Sequence, residues 1–331
     1  MAEYRHLTTP HPEWENFPRN LPPGTRTFWL NRDHLPVTPQ PGLEIKEFDV
    51  PVRDGHPISI RSYRQSSDDG DAGEKPLPLL IYFHGGGFVS GGLESDDASC
   101  RRIASEIPIL VLNVEYRLAP EHRFPVGFED CLDVVRWAAS PQAKDKLPSA
   151  IDLESGFIIG GTSAGANFIA GIAHIIAQET DPSLKLSYRL TGVLFLAGTI
   201  CHEDARPEKY RDRILSIDEI TESAGLTKEG IIYFAEKYGA PPADVRRSPL
   251  LFESHSDLAL RAVVYVCGWD PRRDETLLFE QLLREEGVKT KKYIYPGLPH
   301  GFWTMCPDLP VSKEWENDLL EGVKFLLEDS T

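Results

Sequence analysis

The feature that most constrains this chain is a short apolar run that breaks at a glycine-flanked serine and turns directly into a helix. Gly156-Phe157-Ile158-Ile159-Gly160 reads as a buried strand, and Gly161-Thr162-Ser163-Ala164-Gly165 as a sharp turn. The segment from Ala164 to Ala177 then has helical length and composition. Gly161 and Gly165 flank the serine because side chains there would collide as strand and helix converge, so the Ser163 backbone is expected to be strained. Taken alone, Ser163 reads equally well as a loop serine capping a helix N-terminus.

The same grammar repeats along the chain. From Leu79 onward, apolar runs at 79–83, 109–114, 156–160, 192–197, 262–267 and 291–295 alternate with helical segments at 96–106, 126–139, 164–178, 275–286 and 313–328. That alternation predicts an α/β fold with a mostly parallel central sheet flanked by helices. Before it, 43–50 and 58–63 alternate apolar and polar residues, as strands of a hairpin do. The stretch 65–78 is a polar Asp/Gly/Pro loop.

A second glycine cluster stands at the end of the first of those runs, as His84-Gly85-Gly86-Gly87-Phe88. By itself it is a flexible turn. Paired with the Ser163 turn it suggests an oxyanion hole and a nucleophile elbow, because an oxyanion hole draws donors from two chain segments. Here those are Gly85 to Gly87 and Ala164, the residue after the serine. The helix N-terminus beneath Ser163 adds partial positive charge where an oxyanion would form.

A serine nucleophile needs a base and a group that orients it. Asp270 follows the run at 262–267, and His300 follows the run at 291–295, both just past the C-terminal end of a predicted strand, on the edge where Ser163 also sits. Of ten histidines, His300 alone lies downstream of Asp270. Asp270 also reads as a turn aspartate before Pro271, with Asp274 as the competing acid; Asp274 and Glu275 look like the first turn of a helix. His84 is expected to hold its loop by hydrogen bonds, and His174 to be a core histidine. No H-E-x-x-H or C-x-x-C pattern supports a metal site, and no cofactor is called for.

These residues resemble the hormone-sensitive-lipase-like esterases of the α/β-hydrolase superfamily. The resemblance runs from about residue 45 to the end. It rests on His84-Gly85-Gly86-Gly87, Tyr116-Arg117-Leu118-Ala119-Pro120-Glu121-His122, the elbow, Asp270-Pro271 with Arg273-Asp274-Glu275, and His300-Gly301-Phe302. It implies an α/β-hydrolase fold with a helical cap, with Ser163 as nucleophile, His300 as general base then acid, and Asp270 as orienting carboxylate. It implies that backbone N–H groups of Gly85, Gly86 or Gly87 and of Ala164 form the oxyanion hole, and that 116–121 is a scaffold. The chain departs from the family pattern at Thr162, where Asp is usual, and at Ala166, where Gly is usual.

On this reading the chain divides into an N-terminal cap segment (1–45), a first core part (46–200), inserted cap helices (201–248) and a second core part (249–331). Within the insert, 217–224 and 228–238 look helical, and Tyr233, Phe234 and Tyr238 read as packing residues. The insert reads alternatively as surface helices with no role in binding. Phe88, Trp269 and Trp303, each close to a motif, are the pocket candidates.

A net charge of −16 argues against nucleic acid and anionic membrane surfaces as partners. The N-terminal residues carry charge and no apolar stretch, unlike a secretory signal, and no run is long enough to span a membrane. Five scattered cysteines fit reduced thiols in a cytoplasmic protein, and a homodimer is compatible with everything above. The expectation is hydrolysis of short- to medium-chain acyl esters of small molecules. The alternatives are a dedicated natural-product hydrolase, lactonase, dehydratase or cyclase using the same site, and a ligand receptor on the same scaffold. The family's receptors characteristically lose the histidine that is present here as His300.

Overall fold

A computed structural model describes residues 2–16, 34–66, 76–148 and 151–328. Phe17, Phe28, Trp29 and Leu30 of the aromatic N-terminal segment, and most of the 65–78 loop, lie outside the described residues.

Eight strands form one sheet: β1 (Leu43–Pro51), β2 (Pro57–Gln65), β3 (Leu79–Phe83), β4 (Leu110–Val114), β5 (Phe157–Thr162), β6 (Gly192–Leu196), β7 (Arg261–Trp269) and β8 (Lys289–Pro299). Their spatial order is β1-β2-β4-β3-β5-β6-β7-β8. The first two strands pair antiparallel as a hairpin, β2 pairs antiparallel with β4, and the remaining pairs are parallel. Helices α1 (Pro12–Glu15), α2 (Asp97–Glu106), α3 (Val126–Ala138), α4 (Ala164–Ala177), α5 (Ser216–Glu219), α6 (Lys228–Tyr238), α7 (Arg273–Glu285), α8 (Phe302–Met305) and α9 (Pro310–Leu326) complete the order.

The central strands β3 to β6 are buried at every position because both faces are covered. Leu79, Ile81 and Phe83 of β3 join a core with Phe128 of α3, Phe168 of α4 and Phe279 of α7. Leu80 and Tyr82, pointing the other way, join a second core with Ile103 of α2 and Trp315 and Leu319 of α9. Each fully buried aromatic contributes about 2 to 3 kcal/mol by removal from water.

The insert departs from the sequence expectation at 217–224, where helix is confined to α5. Tertiary contacts explain the break. The Ser223 hydroxyl donates to the Trp269 carbonyl at 2.7 Å, and Gly225 lies so close to the His300 carbonyl that a Cβ would sit 2.0 Å from its oxygen. The chain is pulled down onto the ends of β7 and β8 instead of continuing the helix. The second expected helix is present as α6, with Thr227 accepting from the Gly230 N–H at its N-cap and Gly239 in the left-handed conformation at its end. No helix among the described residues is long and apolar enough to cross a membrane.

Candidate active site

Ser163 sits between β5 and α4 at φ 56° and ψ −109°, a strained backbone for a residue with a side chain. The flanking glycines explain how the turn closes. A Cβ on Gly165 would lie 2.1 Å from the Phe83 carbonyl oxygen, and one on Gly161 would lie 2.8 Å from the same atom. Strand β3, the turn and α4 therefore touch backbone to backbone.

The strand ends bring the partners in. A bulge between Cys267 and Trp269 puts Trp269 opposite Pro299, the last residues of β7 and β8. Asp270 and His300 follow at once, so they emerge side by side. His300 Nδ1 lies 2.7 Å from Asp270 Oδ2, and His300 Nε2 lies 2.9 Å from Ser163 Oγ. The Arg272 amide donates to the other Asp270 oxygen at 2.9 Å. Asp274, the competing acid, accepts the Leu215 and Ser216 amides, each at 2.8 Å, and so anchors the insert.

The glycine loop is fixed from beneath. The His84 ring stacks on Tyr116 with centroids 4.2 Å apart, its Nδ1 lies 2.6 Å from the Gly85 carbonyl, and the Tyr116 hydroxyl donates to the His84 carbonyl at 2.9 Å. Burial lowers the His84 pKa to about 4, so the ring is neutral at physiological pH. Gly86 at φ 123° and Gly87 at φ 61° adopt conformations open to glycine, and a Cβ on Gly86 would lie 2.1 Å from the Ser90 carbonyl oxygen.

One of the expected oxyanion donors is committed elsewhere. The Gly85 N–H donates to Asp96 Oδ2 at 3.2 Å, which leaves Gly86, Gly87 and Ala164 as the amides available at Ser163. Asp96 also takes the place of the acidic residue missing from the elbow. Its Oδ1 accepts from Thr162 Oγ1 at 3.1 Å and from the Tyr82 hydroxyl at 3.2 Å, and those two hydroxyls lie 2.7 Å apart. A buried carboxyl thus ties the serine turn to the glycine loop. Nothing in Glu94-Ser95-Asp96-Asp97 marked it; the run reads as an acidic helix start.

A narrow cavity of about 30 Å3 opens beside Ser163. Its walls are Gly87, Phe88 and Ala164, then Ala197 and Thr199 beyond β6, then Leu226, Ile231 and Ala235 of the insert, with Arg247 and Arg272. Phe88 is a wall of this cavity, stacked on Tyr238 with centroids 4.1 Å apart. Trp269 and Trp303 are not among its walls. Trp303 is buried and stacks on Trp315 at 4.6 Å, because α8 turns it into the core shared with α9. Trp269 lines a separate cleft with Arg5, Thr8 and Glu219, on the other side of the β7 end. Phe234 lies directly over Gly87, where a Cβ would be 2.5 Å from its ring, whereas Tyr233 is half exposed.

Comparisons with known proteins agree with this architecture. A family model described as the alpha/beta hydrolase fold matches residues 80–304. A versiconal hemiacetal acetate esterase of Dothistroma septosporum is 33% identical over 84% of this chain and 81% of its own length. Among solved structures, a vibralactone cyclase superposes with a TM-score of 0.84 at 31% identity, covering 97% of this chain and 96% of the other. An esterase of Pyrobaculum calidifontis superposes at 0.71 and 30% identity, covering 86% and 85%. The chain belongs to the α/β-hydrolase superfamily, in its hormone-sensitive-lipase-like esterase branch.

Proposed function

We propose that this protein is a serine carboxylesterase that hydrolyses small acyl esters through an acyl-enzyme on Ser163. The observation that carries the reading is the continuous hydrogen-bonded line from Asp270 through His300 to Ser163 Oγ, at 2.7 and 2.9 Å. His300 accepts the Ser163 proton as the oxygen attacks the ester carbonyl, and Asp270 holds the ring in the tautomer that leaves Nε2 free. The N–H groups of Gly86, Gly87 and Ala164 receive the developing oxyanion, each donor being worth about 3 kcal/mol in the transition state. His300 then protonates the departing alcohol and activates the water that clears the acyl group.

The cavity is narrow, which suits short acyl groups better than long chains. Residues 201–248 act as a cap, with α6 laid over Gly87 and Phe88. The described part of 1–45 contributes at the ends of β7 and β8, where Arg5 Nε donates to Glu219 at 2.8 Å. Five free, buried cysteines support a cytoplasmic setting.

The test is hydrolysis of 4-nitrophenyl esters from acetate to dodecanoate beside Ser163→Ala. Turnover concentrated on the shortest esters and lost in the variant is expected; turnover that survives the substitution removes Ser163 from the mechanism. One observation favours a second reading with the same first step. The likeness to a vibralactone cyclase extends over 97% of the chain. In that case an internal hydroxyl, not water, takes the acyl group, and simple esters turn over slowly while Ser163 still acylates.

A further inference from the structure

One wall of the cavity beside Ser163 is a buried arginine whose hydrogen-bonding capacity is not met among the described residues. Arg247 is 2% exposed, and both its Nε and its Nη1 are buried without a hydrogen-bond partner among the described residues. Its guanidinium lies 5.7 Å from the centre of the Phe88 ring. A buried guanidinium with open N–H groups is among the most unfavourable arrangements a core can hold, unless something arrives to satisfy it.

The acids among the described residues do not do so. Arg272, the second arginine of the cavity, takes both nearby carboxylates: its Nη2 lies 2.6 Å from Glu203 Oε1 and its Nη1 donates to Glu275 Oε1 at 2.5 Å. The other Glu275 oxygen accepts from Thr199 at 2.8 Å and from the Ile200 and Cys201 amides at 2.9 and 3.1 Å. Glu203 and Glu275 are close enough to temper the Arg247 charge, yet neither hydrogen-bonds its Nε or Nη1. Backbone bonds hold the residue in place: its N–H donates to the Asp244 carbonyl at 3.0 Å, and its carbonyl accepts from Asn167 Nδ2 at 3.0 Å. The guanidinium is therefore carried by a fixed backbone on the wall of the cavity that Ser163 also lines.

We propose that Arg247 binds a carboxylate carried by the substrate, so that preferred substrates are short esters with a second, anionic end. Nε and Nη1 each form a planar N–H pair with Nη2, such a pair matches a carboxylate bidentately, and burial strengthens that match. Two substrate chemistries present such a group: half-esters of short dicarboxylic acids, with the anion on the acyl side, and acyl esters of short hydroxy acids, with the anion on the alcohol side. The proposal rests on the serine-esterase reading for its location and on the unmet Nε and Nη1 of Arg247 for its chemistry.

The test compares isosteric pairs at pH 7.5. Monoethyl succinate against ethyl levulinate probes the acyl side, and acetoxyacetate against acetoxyacetone the alcohol side; in each pair a methyl ketone replaces the carboxylate. One pair is expected to show kcat/KM about 10- to 100-fold higher for the anion, and which pair does so identifies the side. In Arg247→Met that ratio falls to about one, whatever the absolute rates. Should Arg247→Met fail to fold, Arg247→Lys, which keeps the charge and loses the fork, is expected to reduce the ratio. Calorimetry on Ser163→Ala separates this idea from the esterase reading. Tighter binding of the anionic member with no turnover by the unmodified enzyme would sink the esterase and leave the carboxylate site standing. Equal binding of both members of both pairs overturns the carboxylate site, whatever the turnover.

Discussion

Asp96 shows how much of this site depends on one side chain far from the reaction. Its two oxygens hold the Gly85 amide on one side and the Thr162 and Tyr82 hydroxyls on the other, all buried. It touches no substrate, so its role is positioning: it fixes the glycine loop relative to the serine turn. Replacing it with leucine removes every acceptor, and we expect Asp96→Leu to lower kcat by about 10- to 100-fold with little change in KM. Asp96→Asn should recover most of that rate, since its oxygen can still accept from Gly85 while its NH2 group donates to the hydroxyl pair. Steady-state kinetics on both variants decides it; equal losses in the two would show that the acceptor kept by asparagine does not position the loop, and no loss in either that the residue serves only to fill space. The sequence hid this role because the bond partners are 11 and 66 positions away.

At the scale of elements, the helix α6 and the glycine loop meet face to face. Phe234 covers Gly87, and Leu226, Ile231 and Ala235 close the cavity from the same side. Truncating Phe234 to alanine opens space above the loop. The expected outcome is a shift of the preferred 4-nitrophenyl ester from acetate toward longer chains, read as a change in the ranking of kcat/KM; an unchanged ranking would show that α6 does not limit chain length. The sequence placed this helix at 228–238, where a 3.6-residue pattern, an N-cap Thr227 and a terminal Gly239 are local signals. It could not foresee that 220–225 would be drawn onto the His300 carbonyl, because that contact joins segments distant along the chain. Trp303 teaches the same point. Adjacency to His300 in sequence suggested a pocket wall, yet one turn of α8 carries the ring into a stack with Trp315.

For the whole molecule, buried titratable groups set the acid limit of stability. Burial lowers His84 to about 4 and His174 to about 3, from an ordinary 6.5. Both are neutral in the fold while the unfolded chain protonates them, so the stability they lend is complete above pH 6.5 and is lost as pH falls toward their folded values. Asp96 has the opposite sign. Burial raises it to about 6 from an ordinary 3.8, so the folded state binds its proton first and gains stability as pH drops through that window. Two groups against one leave a net loss of stability as pH falls between 6 and 4 from these three. Urea unfolding at pH 7, 6 and 5 should show Asp96→Asn losing stability more steeply than the parent, because it removes the compensating group. Parallel pH profiles would contradict this. What the sequence by itself determined is whatever local pattern and chain order encode: the alternation of strand and helix, the glycine-flanked serine, and the serine–acid–histidine order at successive strand ends. What only the tertiary structure decided is the small size of the cavity, the commitment of the Gly85 N–H to Asp96, and the Arg247 guanidinium whose Nε and Nη1 find no hydrogen-bond partner among the described residues. Those depend on which distant side chains consume one another's hydrogen bonds, and that competition is settled only when the core has packed.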